Sequence, residues 1–371
     1  MSQVKPKVTF YATSDNRHQP YLLNGLMALA ADGEIELRVL PRAPRIRDRL
    51  VVVGEQFQRV SRPYPWSYRL NIWDPASGRS VRAAVDLQDW KHFLSHGDVT
   101  SCDVLFKRSY DPQIASRVSS KFGIAVIPAG MTHSAAVEDH RYGSVLALAR
   151  LAGRVESLLT SPRRGATALC KMLTKHSPPR SQGGQVAPVT VLSENLMDFA
   201  FFQIKCHGDG TWPEAEELNR DRAALIREMR SSLGTRFQGG MYFDGPPRPE
   251  FADCVSNLPS TTTEYLKLVA GAAVVISTNG FGGSVPWKLC EYLSLGKCVV
   301  AEELAVGLPT PLVSGKDVFF FKSREECARQ CLKLLADPAT REKMEERARQ
   351  YYLKHVAPAA AVRRYLEMAI G

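Results

Sequence analysis

Apolar runs of four to six residues alternate along this chain with longer stretches whose apolar positions recur at helical spacing. Residues 8–12 (Val-Thr-Phe-Tyr-Ala) form the first strand-like run. A polar turn, Ser14-Asp15-Asn16-Arg17-His18, follows, and Leu22, Leu23, Leu26, Met27 and Leu29 then share one helical face before a second run at 35–40. Such a β-α-β opening usually begins a doubly wound parallel sheet. The alternation returns with a strand at 103–107, a helix at 113–122 and a strand at 124–127. Between 41 and 100, Arg-rich and Pro-rich pieces mix with Leu50-Val51-Val52-Val53, and the pattern assigns no topology there.

Residues 177–184 (Ser-Pro-Pro-Arg-Ser-Gln-Gly-Gly) have the composition of an inter-domain linker. The alternation restarts after it. Strands are predicted at 189–192, 236–242, 273–276 and 298–301, and helices at 214–233, 263–270, 286–295, 325–335, 339–354 and 359–370. Two α/β domains of Rossmann type are expected: 1–182, with a basic segment and linker over about 161–187, and 188–371. A length of 371 residues agrees with two cores.

Charge and cysteine content narrow the picture. The chain is 44% hydrophobic and 23% charged, ordinary for a globular protein, and its apolar runs are too short for a transmembrane helix. The first residues lack the long apolar region of a secretory signal, so a cytoplasmic protein is expected. Eight scattered cysteines with no CxxC pair point to reduced, buried thiols rather than to a disulfide or metal framework. The net charge of +10 is partly local: Arg163, Arg164, Lys171, Lys175 and Arg180 fall in 161–180 with no acidic residue. That segment reads either as a solvated basic loop or as a basic amphipathic helix resting on an anionic membrane surface, which would make the protein peripheral on the cytoplasmic face. No zinc-finger spacing, RRM signature or aromatic-basic interleaving marks a nucleic-acid partner.

The richest stretch is 274–300. A buried-type strand runs into Thr278-Asn279-Gly280-Phe281-Gly282-Gly283-Ser284, then a helix carrying Lys288 and Glu291, then a second buried strand. Glycines at 280, 282 and 283 let backbone approach a ligand. Ser284 is the predicted N-cap, Pro286 belongs in the first turn, and Gly296 stops the helix. The amides of such a helix start form an anion site beyond the strand ends. Lys288 and Glu291, three apart, share one face while Leu289 and Leu293 point inward. A cation beside the anion site and a carboxylate one turn on suit a nucleoside diphosphate, the first for phosphate oxygens, the second for ribose hydroxyls. Alone, the pair reads more readily as an exposed ion pair worth roughly a few tenths of a kcal/mol, and the glycine turn and strand on either side reverse that preference.

The run K-x-x-E-Y-L-x-x-G-K-x-V-V from Lys288 to Val300 resembles the donor-binding motif of GT-B glycosyltransferases, particularly bacterial family-4-like enzymes. The resemblance is good over 263–304 and looser elsewhere. It implies an α/β fold of two Rossmann-like domains facing across a cleft, with a nucleotide sugar as co-substrate. It also implies that Glu291 holds the ribose while the glycine turn and helix start hold the diphosphate. Many retaining members carry a second glutamate eight residues earlier; here that position is Gly283, so the E-x7-E signature is absent. In the same family a basic residue in the first loop of the C-terminal domain meets the donor phosphates, which points to Lys205, with Arg220 and Arg222 as lesser contributors. Glu302 and Glu303 fall at the next strand end. No DxD motif stands out, and GT-B enzymes typically need no bound metal, so metal-independent transfer is expected.

The acceptor, a glycan, lipid-linked sugar or small molecule, is expected on the N-terminal domain, as in polysaccharide biosynthesis. Polar residues at strand ends there include Asp15, Asn16, Asp86, Asp89, Arg108, Asp111 and His133. An inverting enzyme needs a base for the acceptor proton; Asp86 or Asp89 is the first choice and His133 the second, while capping and loop packing would explain all three equally. The last helix is expected to cross back to the N-terminal domain. Two other classes remain open: a nucleotide-sugar epimerase on the same frame, and a non-catalytic basic protein that binds nucleotide or membrane.

Overall fold

The computed structural model describes residues 5–15, 17–41, 48–62, 64, 66–133, 135, 142–160, 197–208 and 213–371. The chain divides into two compact units: residues 1–183 with 307–309 and 357–371, and residues 184–306 with 310–356. The basic segment 161–180, the predicted strand 189–192, Asn16 and Cys170 lie outside the described residues.

The first unit is built on a six-stranded sheet. Its strands are β1 (Lys7–Ala12), β2 (Glu36–Pro41), β5 (Ser67–Asp74), β6 (Arg79–Asp86), β8 (Val104–Lys107) and β9 (Ala125–Pro128), in the order β2-β1-β5-β6-β8-β9. Five run parallel; β5 is antiparallel to both neighbours. The stretch without a clear pattern holds this β5–β6 hairpin and a small sheet of β3 (Arg49–Val53), β4 (Gln56–Val60) and β7 (Phe93–Ser95). Helix α1 (Gln19–Ala31) follows β1, the short helix α2 (His96–Val99) follows β7, and α3 (Pro112–Phe122) follows β8. Asp111 caps α3 by accepting the amides of Gln113 and Ile114 at 3.0 and 3.1 Å. α4 (Gly143–Thr160) closes the described part of the sequence before the linker.

The second unit carries a five-stranded, all-parallel sheet: β10 (Met197–Lys205), β11 (Phe237–Tyr242), β12 (Ala272–Ser277), β13 (Val299–Glu302) and β14 (Phe319–Phe321). Its order, β11-β10-β12-β13-β14, is one of the two common doubly wound arrangements. β12 is buried at every position, as a strand covered on both faces must be. The crossovers include α5 (Pro213–Leu233), α6 (Thr262–Gly271) and α7 (Trp287–Ser294); α8 (Arg324–Leu335) and α9 (Pro338–Tyr351) follow the last strand. Order in the sheet reverses between β10 and β12, and such a reversal opens a crevice at the strands' carboxyl ends.

The last helix, α10 (Pro358–Ile370), belongs to the first unit. It packs on α1 so closely that a Cβ on Gly25 would lie 2.4 Å from the Pro358 carbonyl oxygen and 2.6 Å from Val362 Cγ2. Arg364 and Tyr365 both donate to the Ala129 carbonyl at 2.8 Å, tying the same helix to the end of β9. The seven described cysteines are all free and buried. Among the described residues no helix is long and apolar enough to cross a membrane.

Candidate functional site

At the reversal point of the second unit, the end of β10 and the end of β12 bring the predicted donor residues together. The β10 end turns at His207, whose amide donates to Asn219 Oδ1 at 3.0 Å while Asn219 Nδ2 returns a bond to the His207 carbonyl at 2.7 Å. The His207 ring lies 4.7 Å from that of Phe281, inside the glycine turn. Burial, then the charges of Arg222 and Lys205, push this imidazole down to about 4; Lys288 acts in the same direction. Asp244 opposes them. Lys205 itself pairs with Asp244 and is partly exposed.

The turn after β12 is held from below. Asn279 donates its amide to Glu302 Oε2 at 2.8 Å and its Nδ2 to the Glu303 carbonyl at 2.9 Å. Glu302 is thereby a brace for the loop, and the exposed Glu303 pairs with Lys322 at 3.4 Å. The Gly280 amide donates to the Ser284 carbonyl at 2.8 Å, closing a tight turn over Phe281–Gly283. Gly282 and Gly283 take φ of 60° and 74°, a region costly for any residue with a Cβ. At Gly283 a Cβ would also lie 2.8 Å from that of Ala305, so the missing family glutamate has no room in this turn. Ser284 does not cap the helix. Pro286 occupies the N-cap and offers no side-chain cap, because the tight turn consumes Ser284 before it.

On α7, Leu289 and Leu293 are fully buried while Lys288 and Glu291 share the other face, as predicted. The Lys288 ammonium donates to the Gln203 carbonyl and sits 4.6 Å from the Tyr265 ring centre. Burial lowers it to about 7, against the pull of Glu291, and Arg222 adds to the lowering. Burial raises the Glu291 carboxyl, with Lys288 opposing. Glu291 makes no side-chain hydrogen bond among the described residues.

Arg222 changes the ranking made from the sequence. It is 3% exposed; its Nη2 donates to the Asn279 carbonyl at 3.3 Å, and its Nε and Nη1 have no acceptor. Burial brings it down to about 10, only partly offset by Glu302. Nearby, Thr278 Oγ1 and Asn279 Oδ1 are likewise buried without partners. Buried polar atoms ordinarily find partners, so this concentration makes the spot a candidate ligand site. Arg220, two positions earlier, is exposed. A signal was present: Ala215, Asn219, Arg222, Ile226, Met229 and Leu233 form one stripe at alternating spacings of four and three, so Arg222 occupies a core position of α5.

In the first unit the three candidate bases separate. Asp86 is fully buried and accepts from the Tyr64 hydroxyl at 2.8 and 3.0 Å, Lys107 Nζ at 3.2 Å and the Gln88 amide at 3.0 Å. Burial raises its pKa against the pull of Lys107, whose own pKa burial lowers. A carboxylate so enclosed meets no acceptor hydroxyl; it joins the ends of β6 and β8. His133 is 3% exposed and packs edge-on against Tyr21 with centroids 5.1 Å apart. Asp111 is spent on the α3 cap and on Lys91 at 2.8 Å. Asp89 keeps a side chain 40% exposed, paired with Arg108 Nη1 at 2.8 Å. Beside it stands His18, which the periodicity does not single out. Asp15 accepts the His18 amide at 3.1 Å, and burial followed by Arg108 pushes the ring down to about 4 while Asp15 and Asp89 oppose.

Among the described residues no group of three or more His, Cys, Asp or Glu side chains is placed to hold a metal ion. Comparison with known proteins fits the motif. Residues 192–367 match the family model described as glycosyl transferase-like. The match covers just under half of the chain, most of it in the second unit. The chain is an α/β protein of two compact units, each built on a mainly parallel sheet, and its C-terminal half is similar to glycosyltransferases. A search among curated proteins returns no match. Solved structures with similarity include a glycosyltransferase from Rickettsia africae, at 14% identity over 72% of this chain and 76% of that one, TM-score 0.36. HepE from Anabaena, crystallised with UDP and glucose, is 10% identical over 92% and 88%, TM-score 0.35. A TarM mutant from S. aureus is 9% identical over 84% and 66%, TM-score 0.39.

Proposed function

We propose that this chain is a glycosyltransferase that takes its sugar from a nucleoside-diphosphate sugar bound at the carboxyl ends of β10 and β12, and passes it to a hydroxyl of a glycan, lipid-linked sugar or small molecule. The observation that carries the reading is Arg222, a buried guanidinium with two N–H groups unanswered beside the unpartnered Thr278 and Asn279 oxygens. A diphosphate accepts from the guanidinium and the Thr278 hydroxyl, and a hydroxyl of the bound sugar nucleotide donates to Asn279 Oδ1. Lys288 and the N-terminal end of α7 complete the cradle, and Glu291, without a side-chain hydrogen bond among the described residues, accepts from the ribose hydroxyls. Lys205 reaches the phosphates by exchanging Asp244 for them.

Transfer without a metal follows from the same cradle: fixed positive charge and helix amides stabilise the leaving diphosphate. On the acceptor side, Asp89 is the sequence candidate with an accessible carboxylate, and Arg108 fixes its direction. A thermal-shift screen against nucleoside diphosphates and nucleotide sugars tests the donor class, since a ligand of the native state raises the melting temperature. The reading expects a shift with at least one nucleoside diphosphate and with its sugar conjugate. No shift with any of them would overturn it.

A further inference from the structure

A cavity of about 260 Å³ opens in the C-terminal unit and shares no residue with the candidate donor site. Lys316, Arg347 and Lys354 line it, all three exposed and none in an ion pair among the described residues. Its one acidic lining residue, Asp317, is buried and accepts the Val313 amide at 2.9 Å, so its carboxylate is engaged in shaping the loop. Three cations thus face one carboxylate.

The wall is built rather than incidental. Tyr351 donates its hydroxyl to the Thr310 carbonyl, tying the end of α9 to the loop. The His355 ring stands 4.9 Å from that of Tyr351, with Nδ1 3.4 Å from Thr310 Oγ1. Between α9 and α10 the chain makes a wide π-turn over Tyr352–Val356, which carries Lys354 and His355. Such turns recur at functional sites because they redirect side chains at some cost in backbone regularity. Val313 and the Tyr351 ring add apolar surface to the lining.

We propose that this cavity binds a small phosphorylated molecule, its phosphate monoester held by Lys316, Arg347 and Lys354. An arginine fork flanked by two ammonium groups matches a compact dianion. The volume sits near the lower end of small-molecule clefts, suited to a phosphorylated sugar or a headgroup rather than a whole nucleotide sugar. The site is independent of the donor reading.

Glucose 6-phosphate, glucose, and vesicles of phosphatidylcholine with or without phosphatidic acid serve as probes, read by calorimetry and flotation. They are applied to the wild-type chain, an Arg347→Ala/Lys354→Ala double variant and a Lys288→Ala control. The expected result is binding of glucose 6-phosphate but not glucose, weakened at least about tenfold in the double variant and unchanged in the control. Flotation with phosphatidic acid alone, lost in the double variant, upholds the site and makes a lipid headgroup the source. The proposal is overturned if neither phosphate probe binds, or if binding follows Lys288 and ignores the double substitution. The substituted side chains are exposed, and an unchanged melting temperature verifies folding.

Discussion

Replacing Arg222 by methionine should make the ligand-free protein more stable and the ligand-bound protein weaker. Burial brings this guanidinium from the ordinary arginine range down to about 10, equivalent to roughly 3 kcal/mol of lost charged-state stabilisation. The side chain recovers one hydrogen bond, to the Asn279 carbonyl at 3.3 Å, worth about 1 kcal/mol. An apolar side chain of similar length removes both contributions, for a net gain of roughly 2 kcal/mol, in line with replacements of buried charges by hydrophobic residues. In the complex, Nε and Nη1 would each give a charge-assisted bond worth about 1.5 kcal/mol or more. Losing two weakens diphosphate binding on the order of a hundredfold. Urea unfolding without ligand and calorimetric titration with nucleoside diphosphates read the two effects separately. A variant that is less stable and binds as tightly as wild type would refute the assignment of Arg222 to the ligand.

Three further outcomes follow from the same geometry. Burial holds Lys288 at about 7, below its unfolded value, so the folded chain binds fewer protons between about pH 7 and 10. Its burial cost is fully present below pH 7 and is relieved as pH rises through that window. Because a diphosphate demands the charged ammonium, binding at pH 8.5 should take up nearly one proton, read from titrations in buffers of different ionisation enthalpy, and Lys288→Met should abolish the uptake. Asp86→Ala leaves the Lys107 ammonium buried without its carboxylate and should cost about 3–5 kcal/mol in urea unfolding while leaving diphosphate affinity unchanged. Gly25→Val drives its side chain into Pro358 and Val362 and should cost roughly 1–3 kcal/mol, with faster amide exchange along α10.

Much of the fold was legible because its elements obey simple periods. The run 274–300 names a buried strand, a glycine turn and an amphipathic helix, and each stands within a residue or two of its predicted place. The β5–β6 hairpin was not legible: its strands sit in the middle of a mostly parallel sheet, and an antiparallel insertion leaves no mark in a pattern read for β-α-β units. The short strand β14, Phe319–Phe321, is too brief to display a period. Among the candidate site residues, the shared helix face of Lys288 and Glu291 was readable from spacing. Asp86 was misread because composition shows a carboxylate at a strand end but not Tyr64 and Lys107 folded over it. Ranking Lys205 above Arg222 weighed loop position over burial, although the α5 stripe encodes the burial.

The central claim is that the β10–β12 switch point binds a nucleoside diphosphate through Lys288, Glu291 and Arg222. Calorimetric titration of UDP, GDP, ADP and dTDP into the wild-type chain and into Lys288→Ala/Glu291→Gln measures it directly. The account predicts saturable binding of at least one nucleotide, weakened by about tenfold or more in the double variant. Equal affinity in both proteins, or no heat with any nucleotide, would contradict it.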